Sequence, residues 1–322
     1  MKEFDIINKF FKKLAINPQF SENLNNDTAN IKIPNDQKLI ISKDIIAENC
    51  HFKKEYGGYK IAYKLLASNL SDLASSGARP HSFMLGFAKN SQIDENFIES
   101  FCQALLELSQ KYNLSLIGGD TISSKSDLFF SITIFGIITK ENSLSRNKAE
   151  AGDLIFISEN IGDSYLGLQI LENKLHIKDQ KIKNYFLNKH FYPTPKIDLA
   201  INLLENNLSQ SAIDISDGLF SDLNHICQNS NLESHIFLER IPISKKAKNL
   251  NLNILDLCSG GEDYELLFTA KKENKNKIEK LSKDLNIKIT EIGYFTKNKN
   301  SKIKLFDQNN KEIPIQKYGY EH

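Results

Sequence analysis

The period of the apolar positions changes along this chain, and each change marks an element. The opening segment "MKEFDIINKFFKKLAI" predicts a helix whose apolar residues are interrupted by charges. "KLIISKD", Lys38 to Asp44, reads as a short strand that ends in polar residues. From Tyr59 to Ser76 the positions Ile61, Leu65, Leu66, Asn69, Leu70 and Leu73 recur at helical spacing, and Gly77 stands where helices stop. Asn69 and Asp72, three apart on that helix, share a face. "SFMLGFA" predicts a strand, Asp94 to Tyr112 an amphipathic helix, and "LSLIGGD" a strand running into a glycine turn. "LFFSITIFGII", Leu128 to Ile138, is the longest strand signal and is too apolar to face water on both sides.

The stretch Thr139 to Gly152 is polar and turn-rich, which makes it the domain boundary and sets the expected domains at 1–140 and 150–322. The pattern then starts afresh with the strand "GDLIFIS" and helices through about Glu205. It continues with the strand "SAIDI", a helix from about Leu219 to Gln228, and "YELLFTA", a strand preceded by "SGGED". Strands and helices mixed in both halves predict two α/β or α+β domains. No internal repeat is visible, although "NLSDL" and "DISDG" place a Ser-Asp pair in each half.

The 322 residues suffice for two domains at about 100–200 residues each. Forty-one basic against forty acidic residues leave a net charge of +1, without the basic footprint of a nucleic-acid binder. No window approaches the roughly 20 apolar residues that span a bilayer, and the amino terminus lacks the apolar run of a signal peptide. The four cysteines, Cys50, Cys102, Cys227 and Cys258, lie far apart with no C-x-x-C, so a disulfide framework or a zinc knuckle is not expected and a reducing cytoplasm fits best.

Charge matters here through its placement. Asp27, Asp44, Asp72, Asp120, and Asp214 with Asp217 each end or flank an apolar segment beside small residues. An ionised carboxylate near a core is costly unless partnered. Taken singly, each has a local explanation in pairing or capping. Taken together they need more cations than Arg79, Arg146 and Arg240 supply, these being the only arginines. Magnesium ions answer the need, since Mg²⁺ favours oxygen ligands and is usually held by one or two carboxylates with substrate phosphates. Such a cluster suits phosphoryl transfer, which is chiefly positioning and neutralisation of charge. The glycine pairs of "IGGD" and "SGGED" would let the main chain approach a phosphate or metal and aim N–H groups at it. The P-loop, the dinucleotide fingerprint, the protein-kinase motifs, H-E-x-x-H and G-x-S-x-G are all missing.

"NLSDLASSGARP", "LIGGDT", "SAIDISDGLFSDL" and "SGGEDYELLF", in this order and at these separations, resemble the thiamine-monophosphate kinase family. That family lies within the superfamily of aminoimidazole ribonucleotide synthetase, selenophosphate synthetase and the hydrogenase-maturation ATPases. The resemblance runs over nearly the whole chain. It implies the two-domain fold of that superfamily, α/β (α+β), with an amino-terminal mixed sheet that forms a dimer barrel and a carboxy-terminal α/β domain. It also implies a homodimer with its active site in a cleft between domains, and transfer of the γ-phosphate of ATP to thiamine monophosphate without a phosphoenzyme. Asp27, Ser42, Lys43, Asp44, Asp72, Asp120, Asp214 and Asp217 match Mg²⁺-ligand positions, five of them (Asp44, Asp72, Asp120, Asp214 and Asp217) forming the catalytic set. Gly119, Asp120, Arg146 and Ser216 match positions near ATP, while His51, Glu262 and Tyr318 match positions at the thiamine phosphate. An imidazole can pair with the accepting phosphate, a carboxylate can accept from a thiamine amino group, and an aromatic ring can stack on the thiazolium. Asp222, one helical turn into the helix that follows, is expected to be structural.

The chain also departs from the family pattern. "NLNND", Asn23 to Asp27, replaces Gly-x-Gly-Asp-Asp, so Asn26 removes one carboxylate, while asparagine's tolerance of left-handed backbone lets the turn form. Lys43 stands where a threonine is usual. If that residue serves through its carbonyl nothing is lost; otherwise the ammonium replaces part of a cation's charge. Two alternatives to the kinase follow from these departures and from the superfamily. One is a binding homologue that has lost catalysis. The other is a sister ATP-dependent enzyme, against which the absence of any cysteine before Cys50 weighs.

Overall fold

The strand signals of the first half come together as one four-stranded sheet. In a computed structural model of the chain, residues 3–26, 28–139, 141, 143–297 and 302–320 are described; Asp27 lies outside them. The chain divides into two units, Met1–Leu73 with Ala78–Glu141, and Ala74–Gly77 with Asn142–His322. Each is a mixed α/β structure. Among the described residues no helix is long and apolar enough to cross a membrane.

Unit one holds α1 (Glu3–Lys9), α2 (Pro18–Ser21), β1 (Lys38–Ala47), α3 (Gly58–Ser75), β2 (Arg79–Lys89), α4 (Glu95–Tyr112), β3 (Ser115–Ser123) and β4 (Phe129–Ile138). The sheet order is β1-β4-β2-β3, with β2 and β3 parallel and the other pairs antiparallel. Asp94 caps α4 by accepting from the Phe97 N–H at 2.8 Å, and Asn113 ends it in the left-handed conformation at φ 51°. The apolar stripe of α3, Ile61, Leu65, Leu66, Leu70 and Leu73, is buried, and so is one face of β4. Phe87, Phe101 and Phe130 meet in that core, with ring centroids 4.8–5.2 Å apart.

The opposite face of this sheet is open. Ile41, Ile45, Met84, Ile122 and Phe129 are 57, 61, 40, 55 and 38% exposed. Register and pleat together sort the candidate residues between the faces. Asp44 lies in the inward row Asp44, Ile132, Leu85, Gly119, whereas Asp120 lies in the outward row Ile45, Ser131, Gly86, Asp120.

Unit two holds β5 (Leu154–Ser158), α5 (Asp163–Leu171), α6 (Gln180–Phe191), α7 (Ile197–Glu205), β6 (Ala212–Asp214), α8 (Leu219–Ser230), β7 (Glu233–Phe237), α9 (Lys245–Lys248), α10 (Ile254–Cys258), β8 (Leu266–Ala270), α11 (Lys275–Leu285), β9 (Ile289–Thr296), β10 (Ile303–Phe306) and β11 (Glu312–Ile313). Its seven-stranded sheet runs β11-β10-β7-β9-β5-β8-β6. Ile155, Ile157, Ile213, Leu219, Phe220, Leu223 and Leu267 anchor its core. The strand predicted from Tyr264 begins only at Leu266, because Tyr264 has a φ of 51°, outside the extended region that regular strands occupy.

Candidate active site

In unit one the carboxylates are held by crossed hydroxyl pairs. Ser42 and Asp44 are two apart on β1 and so share its inward face, while Ser68 and Asp72 are four apart on α3 and share a face of the helix. Ser42 Oγ donates to Asp72 Oδ2 at 2.5 Å, and Ser68 Oγ lies 3.1 Å from Asp44 Oδ2. Two anions are thereby fixed along one strip between strand and helix. Burial pushes the Asp44 carboxyl above its ordinary value, with the Ser68 hydroxyl opposing. Three positions before Asp72, the buried Asn69 donates its amide to the Leu65 carbonyl at 2.8 Å, and its Oδ1 has no hydrogen-bond partner among the described residues.

Lys43 points the other way. Its Nζ is 3.5 Å from both Ser131 Oγ and Thr133 Oγ1 on the outward face, so only its main chain stays near Ser42 and Asp44. The ammonium therefore does not join those two side chains. His51 follows β1 in a tight turn, where its Nδ1 accepts from the Ala47 N–H at 3.1 Å. A ring that accepts at Nδ1 carries its proton on Nε2. In the segment before Asp27, Glu22, Asn23 and Leu24 all have left-handed φ, at 47°, 55° and 56°. Asn23 thus adopts the conformation expected of it.

In unit two four of the predicted residues come together. The 215–217 and 261–265 segments are zipped by main-chain bonds: Glu262 N–H to Ser216 O at 2.7 Å, Tyr264 N–H to Ile215 O at 2.8 Å, and Ile215 N–H to Glu265 O at 2.8 Å. The closing segment docks on the same turn, with Tyr320 N–H donating to Asp217 O at 2.9 Å and Ser221 N–H to Tyr318 O at 3.1 Å. Ser216, Asp217, Glu262 and Tyr318 therefore share one end of the unit, just beyond Asp214 at the close of β6. Arg146 stands elsewhere, lining a pocket of about 380 Å³ with Ser75, Ser76, Ser145, Asn147 and Asn229.

Three of the four paired glycines are required by packing. A Cβ on Gly261 would stand 2.3 Å from Ser216 O, one on Gly260 2.3 Å from the Tyr165 ring, and one on Gly119 2.0 Å from Leu85 O. Each of these three lies against the protein itself, whereas a Cβ on Gly118 would meet only Met84 Cε, at 3.4 Å. The N–H groups of the Asp-x-Ser-Asp-Gly turn are likewise committed. Ser216, Asp217 and Gly218 all donate to Asp222 Oδ2, at 3.0, 3.1 and 3.2 Å. Asp222 is 2% exposed, and burial, with the Asp217 charge, pushes its carboxyl up to about 7. It is the post around which the turn is built, a structural role consistent with its place in α8.

Sequence reasoning missed a second set of buried acids. Asp263 accepts from the Gly162 and Ser164 N–H groups at 2.7 and 3.1 Å at the start of α5. Its burial drives its pKa well above the ordinary carboxylate value. Glu265 pairs with Lys196 at 3.0 Å, and Asp163 accepts from Ser244 Oγ and Tyr185 OH, both at 2.7 Å. For Asp263 and Glu265 the signal was the acidic stretch "EDYE" before "LLFTA", and Asp163 carried none.

Among the described residues, no three His, Cys, Asp or Glu side chains converge on a single point. The donors nevertheless suit a hard cation, being carboxylate, hydroxyl and amide oxygens with one buried acceptor, Asn69 Oδ1, left over.

The chain is similar to known proteins over nearly its whole length. Residues 25–138 match the family described as AIR synthase related protein, N-terminal domain, and residues 150–306 match its C-terminal domain. The thiamine-monophosphate kinase of Buchnera aphidicola subsp. Schizaphis graminum is 41% identical over 99% of this chain and 98% of its own length. Among solved structures, thiamine-monophosphate kinase from Stenotrophomonas maltophilia superposes with a TM-score of 0.84 at 28% identity, over 95% of this chain and 96% of that one. AaThiL complexed with AMPPCP and TMP superposes with a TM-score of 0.77 at 25% identity, over 99% and 97%. The chain belongs to the AIR synthase related family and, within it, to the thiamine-monophosphate kinases.

Proposed function

We propose that this kinase transfers the γ-phosphate of ATP to the phosphate of thiamine monophosphate by direct in-line displacement, giving thiamine diphosphate and ADP in the cytoplasm. The observation that carries the substrate assignment is the full-length likeness to AaThiL, a protein solved with AMPPCP and TMP. Asp27, Ser42, Asp44, Asp72, Asp120, Asp214, Asp217 and the main chain of Lys43 are the assigned Mg²⁺ ligands. Mg²⁺ held by these residues would offset the charge of the facing phosphates, whose mutual repulsion otherwise opposes the transfer.

The chain's own part is to hold and orient. Ser42 and Ser68 fix two carboxylates before any ligand arrives, so their ordering is not charged to binding. Arg146, Gly119, Asp120 and Ser216 are assigned to ATP, Arg146 through the fork geometry that suits phosphate. His51 offers its Nε2–H to the accepting phosphate, Glu262 accepts from the thiamine amino group, and Tyr318 packs on the thiazolium. Incubating the purified chain with ATP, Mg²⁺ and thiamine monophosphate should yield thiamine diphosphate. Measurable binding of both ligands without product would sink the proposal.

The open face of the first sheet supports a homodimer in which a second copy covers Ile41, Ile45, Met84, Ile122 and Phe129. An apolar face of this kind is uncommon on a monomer. Sedimentation should give twice the 36.7 kDa chain mass; a monomer at micromolar concentration would refute the pairing.

A further inference from the structure

Behind the Glu262 carboxylate lies a histidine that no motif marks. His190 is near the end of α6 and is 2% exposed, with its Nδ1 3.6 Å from Glu262 Oε2 and 3.4 Å from Ser164 Oγ. A buried imidazole needs polar partners, and these two face the same nitrogen. The ring's place is fixed by the contact of α5 with α6: a Cβ on Gly167 would stand 2.7 Å from His190 Cβ and 2.3 Å from Phe186 O. Ser164 is fixed in turn by donating its N–H to Asp263 Oδ1.

Glu262 is held with equal care. Its φ of 66° is a conformation that a residue with a side chain keeps only where its surroundings impose it. Gly261 before it has no room for a Cβ, and the Glu262 N–H is tied to Ser216 O. The side chain is 30% exposed, so the carboxylate has the buried imidazole on one side and solvent on another.

We propose that His190 is a positioning residue for Glu262, holding its carboxylate in the orientation that receives the amino group of the thiamine phosphate. The proposal rests on the assignment of Glu262 to that substrate. Its physical basis is preorganisation: a glutamate whose carboxylate has a fixed imidazole 3.6 Å behind it has less rotamer freedom to lose on binding.

Three substitutions of His190 separate positioning from packing. His190→Phe keeps a ring and loses both nitrogens, His190→Asn keeps a donor close to the Nδ1 place, and His190→Gln keeps polarity while moving the donor away. His190→Phe is expected to raise KM for thiamine monophosphate about tenfold and to leave KM for ATP within about twofold. His190→Asn should restore most of the loss. In a Glu262→Gln background His190→Phe should add less than about twofold, because the two side chains act as one unit. If the Phe variant does not fold, the Asn and Gln variants carry the same comparison. An unchanged KM in His190→Phe beside a raised one in Glu262→Gln overturns the positioning role and leaves the substrate assignment standing. A silent Glu262→Gln removes the assignment, and the positioning role goes with it. Equal rises in both KM values, or no recovery by Asn over Phe and Gln, would make His190 a packing residue.

Discussion

Replacing Asp44 by Asn is expected to lower thiamine diphosphate formation by about 10²–10³-fold, since one preorganised electrostatic group at a reacting phosphate is worth that much. The same change should leave the fold, measured without divalent cation, as stable as the parent or more so. The two expectations share one cause. Burial already pushes the Asp44 carboxyl upward, so the isolated protein holds this charge at a cost, and Asn relieves it while still accepting from Ser68 Oγ. Steady-state rates with saturating Mg²⁺ and thermal melts in chelator test both halves. Activity within threefold of the parent would remove Asp44 from the catalytic set, and a clear fall in melting temperature would mean that the carboxylate serves the fold.

Lys196→Met should show the reverse, a loss of stability at an ion pair that is itself assigned to no ligand. Lys196 is 7% exposed, and its Nζ is 3.0 Å from Glu265 Oε2, which also accepts from Ser158 Oγ at 2.5 Å. Ser158 Oγ in turn accepts from the Leu266 N–H at 2.8 Å, so the network ties β5 to the start of β8. Removing the cation strands a buried carboxylate, a change that costs about 3–5 kcal/mol. The deficit should depend on pH. Burial already raises Glu265 above the ordinary glutamate value of 4.5, and without Lys196 the folded state binds that proton more tightly still. A folded pKa above the unfolded one means stability gained as pH falls through the folded value and complete below 4.5. Urea melts at pH 8 and pH 5 should therefore show a smaller deficit at the lower pH. Equal deficits at both, or a loss of less than about 1 kcal/mol, would show the pair to be solvated.

Local pattern was enough for much of the fold. The α3 stripe, the Asp94 cap and the alternation of β4 are written in neighbouring residues, because helix and strand periods depend on backbone geometry alone. Motif order carried the family, and with it the acidic residues that mark both units. Alternation even holds the fact that Lys43 and Asp44 point to opposite faces of β1, although only the structure shows that α3 lies on the Asp44 side.

Partners distant in the chain were a different matter. Spacing does not reveal that Ser42 meets Asp72, that Lys196 meets Glu265, or that His190 stands behind Glu262, since each pair joins different elements. Nor does the sequence show whether a glycine makes room for a ligand or for the protein's own main chain. "SGGED" suits both, and Ser216 O occupies the space that a Cβ on Gly261 would need. The sequence by itself determined the elements, the family and the residue types of the site, because these rest on local geometry and on order along the chain. The tertiary structure decided which carboxylates are structural posts, because a buried charge is settled by the donors and cations that packing brings to it.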